Sequence, residues 1–277
     1  MPLTDLVSVI PPDIEDEPED IFAAASGLFF NDFANQHGGE RSTILYKSKK
    51  FGNIELRTAD PEREHDRKLF AHYLWNAGIK LAELISGDKE EWTVRDEKVL
   101  ELGAGVGLDG IIATLAGARE VVISDYPANA LLDNILRNAE GAVPQSARSR
   151  YRIEGYEWGD DTSPFASSNA HSFGRILAAD CFWMPHEHEN LVKSMLHFLD
   201  WSHKARVFVV AGFHTGRAKL AGFFDEATLQ GLAIEEIYEE NAEGDRREWQ
   251  KERDNGLENV TERKRWLVIA ILGRQAS

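Results

Sequence analysis

The sequence predicts an α/β protein built on a doubly wound, mostly parallel sheet. Three observations carry that expectation. Strand-like and helix-like stretches alternate across residues 99–230. The stretch Val99-Leu-Glu-Leu-Gly-Ala-Gly-Val-Gly107 joins a buried strand to a helix through a glycine turn, and the next strand ends at Asp125. Asp125, Trp158 and Asp180 all fall at or just past strand ends, the edge where such sheets bind ligands.

The elements follow in order. Residues 13–20 hold six acids in eight positions, so residues 1–40 read as an acidic, flexible segment. Residues 42–46 and 53–57 read as two short strands around the Gly52-Asn53 turn, a small N-terminal β-appendage spanning about residues 41–60. Residues 66–85 place Leu69, Phe70, Leu74, Leu81, Leu84 and Ile85 at helical spacing, with Trp75 and Gly78 in the middle. A glycine inside a helix costs roughly 1 kcal/mol, which suggests a close approach there. Trp92 reads as a partly buried packing residue.

Residues 98–102 form the first parallel strand, 108–116 a helix and 120–123 the second strand. A helix at 129–139, a strand at 151–156 and a Ser- and Asn-rich loop at 160–173 come next. The fourth strand is 176–180, followed by a helix at 187–199 and an almost purely apolar fifth strand at 206–211. Residues 217–230 are helical, and 232–238 and 266–272 supply strands six and seven. The charged run 239–265 reads as a long exposed connection. Residues 41–277 therefore make one domain, and there is no internal repeat.

A strand, a glycine turn, a helix and a strand ending in an acid together grip a nucleotide-like ligand. The glycines let backbone approach it, and the carboxylate accepts hydrogen bonds from ribose hydroxyls. Gly105, Gly107 and Gly110 fit the dinucleotide pattern, which keeps a nicotinamide cofactor open. The run starts earlier, however, at Gly103, and Glu101 precedes it. A carboxylate there suits a cationic ligand better than a pyrophosphate. S-adenosylmethionine carries a sulfonium and an ammonium and no phosphate, and is the expected cofactor.

The 277-residue chain is 43% hydrophobic, enough for a core of ordinary size. Its formal net charge of -16 argues against a nonspecific nucleic-acid binder and favours a basic protein partner. Cys181 is the lone cysteine, so no internal disulfide can form. It reads as a small buried residue, not a nucleophile. His186-Glu-His188 lacks further ligands in view and reads as surface, so no metal is expected. No signal peptide and no apolar run of about 18 residues is seen, and the expected location is cytoplasmic.

Leu74-Trp-Asn-Ala-Gly78, the glycine turn, Ser124-Asp125, Trp158-Gly159 and Ala179-Asp-Cys-Phe-Trp183 occur in that order. Together they resemble the seven-β-strand S-adenosylmethionine-dependent methyltransferases, in the branch that holds many protein-lysine methyltransferases. Leu74-Trp-Asn-Ala-Gly78 is similar to the fungal nicotinamide N-methyltransferase-like group, some of whose members methylate elongation factor 1A at its N-terminus and an adjacent lysine. The resemblance covers about residues 69–272. It implies a Rossmann-like sheet of seven strands and a role for each matching position. Trp75 would close over the methionine end of the cofactor. Gly103, Ala104 and Gly105 would present backbone to it, with Glu101 behind them. Asp125 would hold the ribose and Trp158 would pack near the adenine. Ala179 and Asp180 would flank the methyl-transfer site, and Trp183 would wall it. Many lysine-modifying members have Asp-x-x-Tyr where this chain has Asp180-Cys-Phe-Trp183, so no phenol hydroxyl is available there. Phe182 and Trp183 together would desolvate the target amine. The expected function is protein N-methylation of a translation elongation factor, with no direct nucleic-acid or membrane partner. The alternatives are a small-molecule methyltransferase acting on a nicotinamide-like amine, a non-catalytic binding module, and a nicotinamide-dependent oxidoreductase.

Overall fold

The computed structural model describes residues 2–10, 35–39, 42–59 and 73–275. Five short strands come first: β1 (Val7–Ile10), β2 (Gln36–His37), β3 (Thr43–Ser48), β4 (Gly52–Arg57) and β5 (Leu74–Trp75). Helix α1 (Asn76–Ser86) leads into β6 (Lys98–Leu102), α2 (Leu108–Leu115), β7 (Glu120–Asp125), α3 (Asn129–Ala142) and β8 (Tyr151–Gly155). Then come α4 (Pro164–Asn169), β9 (Arg175–Ala179), α5 (His188–Phe198), β10 (Arg206–Gly212) and α6 (Arg217–Gln230). The chain closes with β11 (Leu232–Asn241), β12 (Arg246–Glu248), α7 (Val260–Arg263) and β13 (Trp266–Arg274).

The central sheet has the order β12-β11-β13-β10-β9-β6-β7-β8. Strands β8, β7, β6, β9 and β10 are parallel, and β13 and β11 run antiparallel at the far side. These are the seven expected strands, and the three-residue β12 adds an eighth at the edge. The pleat sends alternate side chains to opposite faces. Val99, Val121, Ile123, Leu177 and Phe208 therefore join one buried cluster with α1, α2 and α3. Leu100, Leu102, Val122, Ile176 and Val209 join the other, with α5 and α6. Trp92, expected to be partly buried, is enclosed in the first cluster against Phe208, ring centroids 4.8 Å apart. The chain leaves β6 toward β7 and β8, then returns to place β9 on the other side of β6. That reversal opens a crevice at the C-terminal ends of β6 and β9.

Several expectations need correcting. The β-appendage has three strands, β1-β3-β4, because residues near the N-terminus pair with β3. Leu3 and Leu6 are buried, so this part of the segment expected to be flexible is packed. The appendage is bolted to α3: Asn138 accepts from the Arg57 N–H, and Asn134 and Asn138 donate to the Arg57 carbonyl. The acidic run 13–20 and residues 66–72 of the expected helix lie outside the described residues. Leu74 and Trp75 are not helical; they pair with Gln36 and His37, and the helix begins at Asn76. The Ser- and Asn-rich loop contains α4, capped by Ser163, whose hydroxyl accepts from the Ala166 N–H.

The charged run after Tyr238 is not a wholly exposed connection. Glu239 is fully buried, and the Arg217, Arg247 and Arg253 guanidiniums converge on its carboxylate. Arg217 and Arg247 also bind Glu258. Ion pairs and hydrogen bonds offset the desolvation that made these residues look like surface. Among the described residues no helix is long and apolar enough to cross a membrane.

Candidate active site

A cavity of about 310 Å³ opens at the crevice beside β6. Of the residues singled out in the sequence, Trp75, Gly103, Ala104, Gly105, Asp125, Trp158, Ala179, Asp180 and Trp183 line it. Strand ends explain the convergence: β6 runs out at Leu102, β7 at Asp125 and β9 at Ala179, all on one edge.

The glycine turn is fixed from below. The Ala104 N–H donates to the Ser124 carbonyl, and the Ser124 hydroxyl donates to the Glu101 carbonyl. Gly103 has a positive φ of 68°, and a Cβ there would sit 2.8 Å from Cys181 Sγ and 3.1 Å from the Trp158 ring. Only glycine fits both the backbone conformation and the space.

Asp125 is buried, and each of its oxygens accepts a 2.6 Å hydrogen bond, one from the Gly105 N–H and one from the Tyr126 N–H. Burial raises its carboxyl to about 6 against the opposing pull of the two N–H donors. A carboxylate has about four lone-pair sites, so two remain for donors from a ligand.

Glu101, assigned to the cofactor from the sequence, is not among the residues that line the cavity. Its carboxyl turns under the turn and accepts from the Gly110 N–H at 2.9 Å, near the start of α2. Burial pushes it up to about 8, with Asp125 adding repulsion. Burial thus lessens the negative charge that Glu101 could offer a cationic ligand. Asp109 lies beside it, its carboxyl also raised by burial and by Glu101.

Asp180 sits on the other side of the turn, in the left-handed region at φ 57°. Three bonds hold it there. Its N–H donates to the Val210 carbonyl, its Oδ1 accepts from the Gly212 N–H at 2.9 Å, and its Oδ2 lies 2.8 Å from His214 Nε2. The bonds at both carboxylate oxygens also fix the side chain at the cavity wall. Trp183 is half-buried in the wall, whereas Phe182 stacks on Phe223, centroids 3.6 Å apart, and does not line the cavity. The desolvating pair expected from the sequence is therefore reduced to Trp183. Cys181 is buried against the Leu102 carbonyl, and burial raises its thiol well above the usual range, as suits an inert packing residue. His186 is exposed on the rim, and His188 is buried with Nε2 2.9 Å from the Phe182 carbonyl.

Sequence reasoning missed Tyr73, Tyr126, Glu157 and Glu187 on the walls, and His214 behind Asp180. His214 had a readable signal: it lies two residues beyond the end of β10, the same strand-end position that flagged Asp125 and Asp180.

The glycine cradle, the strand-end carboxylate with acceptor sites to spare and the aromatic walls fit S-adenosylmethionine. Fold and site together define a Rossmann-like S-adenosylmethionine-dependent methyltransferase. Comparison narrows this, because residues 60–229 match the lysine methyltransferase family, and the chain belongs to it. A Schizosaccharomyces pombe protein named protein N-terminal and lysine N-methyltransferase efm7 is 41% identical over 182 residues, 62% of this chain and 68% of that one. Its Candida glabrata namesake is 34% identical over 226 residues, 80% of this chain and 83% of that one. Among solved structures, a protein described as a methyltransferase complexed with SAH shares the fold at TM-score 0.54 and 12% identity, covering 92% of this chain and 66% of that one. The chain is an S-adenosylmethionine-dependent N-methyltransferase.

Proposed function

We propose that this enzyme methylates a protein, at a lysine and/or N-terminal amine of a translation factor of the elongation factor 1A kind. The observation that carries the reading is that Asp125 and Asp180 line one cavity on either side of the glycine turn. One end suits a cofactor and the other a nucleophile. The names of the relatives support a protein amine as acceptor, and the net charge of -16 suits a basic partner. The site of action on this reading is the cytoplasm.

Asp125 would accept the ribose hydroxyls, and Gly103, Ala104 and Gly105 would offer backbone. Trp158 would pack near the adenine and Trp75 over the methionine end. S-adenosylmethionine, when bound, supplies a methyl carbon whose bond to sulfur breaks as an amine nitrogen attacks it. The residues of this chain then have to align a neutral amine. A lysine of ordinary pKa near 10.4 costs about 4–5 kcal/mol to deprotonate at pH 7, and an N-terminal amine of pKa about 8 costs only about 1. Trp183 keeps water from the amine and so lowers its pKa. Asp180 orients it, and the released proton passes to solvent.

The test is to incubate the enzyme with tritiated S-adenosylmethionine and lysate from cells lacking it, alongside recombinant elongation factor 1A. A labelled protein, mapped to a lysine or the N-terminus, is expected. Label confined to nicotinamide-like small molecules overturns the reading.

A further inference from the structure

We infer that His214 is a positioning residue for methyl transfer, holding the Asp180 carboxylate and the Trp75 ring in their working places. The inference rests on the reading that Asp180 faces the reacting amine.

The geometry is specific. His214 Nε2 lies 2.8 Å from Asp180 Oδ2. With Asp180 as a carboxylate, that nitrogen carries the proton and donates it to the hydrogen bond. The same imidazole meets Trp75 edge-on, ring centroids 4.8 Å apart at 62°. One ring therefore touches two walls of the cavity, the strand-end acid after β9 and the tryptophan of β5. Space has been left for it. A Cβ on Gly212 would lie 2.5 Å from His214 Nε2, so any larger residue there would displace the ring. Gly212 also donates its N–H to Asp180 Oδ1, and each carboxylate oxygen thus has one partner from the end of β10 or just after it. The His214 and Asp180 side chains are 17% and 8% exposed, so water competes little for this bond.

A carboxylate held at both oxygens cannot rotate, and an amine bonded to it inherits a fixed direction. Loss of the imidazole would free Asp180 to turn about its side-chain bonds and would remove the support behind Trp75. Misplacement by about 1 Å can cost on the order of 100-fold in rate while leaving ground-state binding largely intact.

Three replacements separate the contacts. His214→Ala removes both. His214→Phe keeps an aromatic edge against Trp75 and loses the donor. His214→Gln keeps an N–H donor at nearly the reach of Nε2. Turnover is read as tritium transferred to elongation factor 1A, or to whichever protein the lysate labelling identifies, and S-adenosylhomocysteine affinity by calorimetry confirms folding. His214→Ala and His214→Phe should lose about 10–100-fold in kcat, with KM and S-adenosylhomocysteine affinity changed less than about threefold. His214→Gln should recover most of the loss. In an Asp180→Asn background, His214→Phe, which keeps the Trp75 contact, should change kcat less than about twofold, because the imidazole donor and Asp180 act as a unit. Multiplicative losses in the double variant, or equal turnover in the Gln and Phe variants, overturn the inference. Wild-type turnover in Asp180→Asn instead removes Asp180 from the methyl-transfer site, a separate failure.

Discussion

Asp125→Asn probes the cofactor end of the cavity at its most exacting point. The carboxylate already accepts from two backbone N–H groups at 2.6 Å, which leaves one further acceptor site on each oxygen. Hydrogen bonds to a charged acceptor contribute about 1.5–3 kcal/mol each, and neutral ones about 1. Asparagine removes the charge and turns one acceptor into a donor, facing an N–H that already donates. The expected loss is about 2–4 kcal/mol, on the order of 30–1,000-fold in affinity for S-adenosylhomocysteine. The pH dependence has a definite sign. Burial holds the wild-type carboxyl near 6, above its ordinary range, and on the proposed reading the charged form is the one that binds the ribose. Affinity should therefore be full at pH 8, half at pH 6 and about tenfold weaker at pH 5. Calorimetry from pH 5 to 8 on both proteins reads this, and the asparagine variant should lack the tenfold step. Equal affinity in the two proteins, or the same pH step in both, would show that Asp125 does not hold the ribose.

Glu101→Gln should leave S-adenosylhomocysteine affinity far less changed than Asp125→Asn does, because Glu101 does not line the cavity. Its folded carboxyl, near 8, lies above the ordinary value of 4.5, so the native state keeps a proton that the unfolded chain loses. Stability from this group is present below about pH 4.5 and is lost as pH rises toward 8, on the order of a few kcal/mol. Melting temperatures from pH 5 to 9 should fall less steeply in Glu101→Gln than in wild type. Trp183→Ala should slow turnover much more than it weakens S-adenosylhomocysteine binding, and the defect should shrink toward pH 10, as the amine nears its ordinary pKa of about 10.4 and a growing fraction is neutral without help; a defect constant with pH would remove desolvation from Trp183's role. Arg217→Ala leaves buried carboxylates short of a partner and should cost about 3–5 kcal/mol in urea unfolding; a loss under about 0.5 kcal/mol would mean the network is held by its other arginines.

The parallel half of the sheet was legible because its inner strands are largely apolar runs bounded by a turn or a helix, whereas the edge strand β8 alternates polar and apolar residues. The site was legible for a related reason. Parallel strands all end on one edge, so Asp125, Trp158 and Asp180 could be placed together without knowing a single contact. What escaped depended on partners distant in sequence. Leu74 and Trp75 continue the helical spacing of the residues after them, and only pairing with Gln36 and His37 reveals a strand. Glu239 looks like surface until three arginines from other segments are brought to it. Glu101 sits at the end of β6, as a ligand-facing acid would, but the turn of backbone above it directs the carboxyl to Gly110. The missed helix α4 is a different case, since Ser163 followed by Pro164 is a readable N-terminal cap signal in an otherwise loop-like composition.

The buried ion network and the catalytic edge are parts of one construction. His214 lies on a four-residue link between β10 and α6. At its start, Gly212 is fixed by the ladder between β10 and β13 and by its bond to Asp180. At its end, Arg217 opens α6, and its guanidinium binds Glu239 on β11 and Glu258 near α7. That guanidinium also lies over the Phe213 ring, 4.3 Å from its centroid, and Phe213 is the residue before His214. The link is therefore clamped at both ends and from one side. A loop on the surface of a doubly wound sheet is ordinarily its most mobile part, yet this one has to hold an imidazole within hydrogen-bond reach of a carboxylate. Burying charge near the sheet edge is an expensive way to stabilise a fold. Here it fixes the segment on which the placement of Asp180 depends. Loss of Arg217 should then slow methyl transfer even under conditions where the protein remains fully folded.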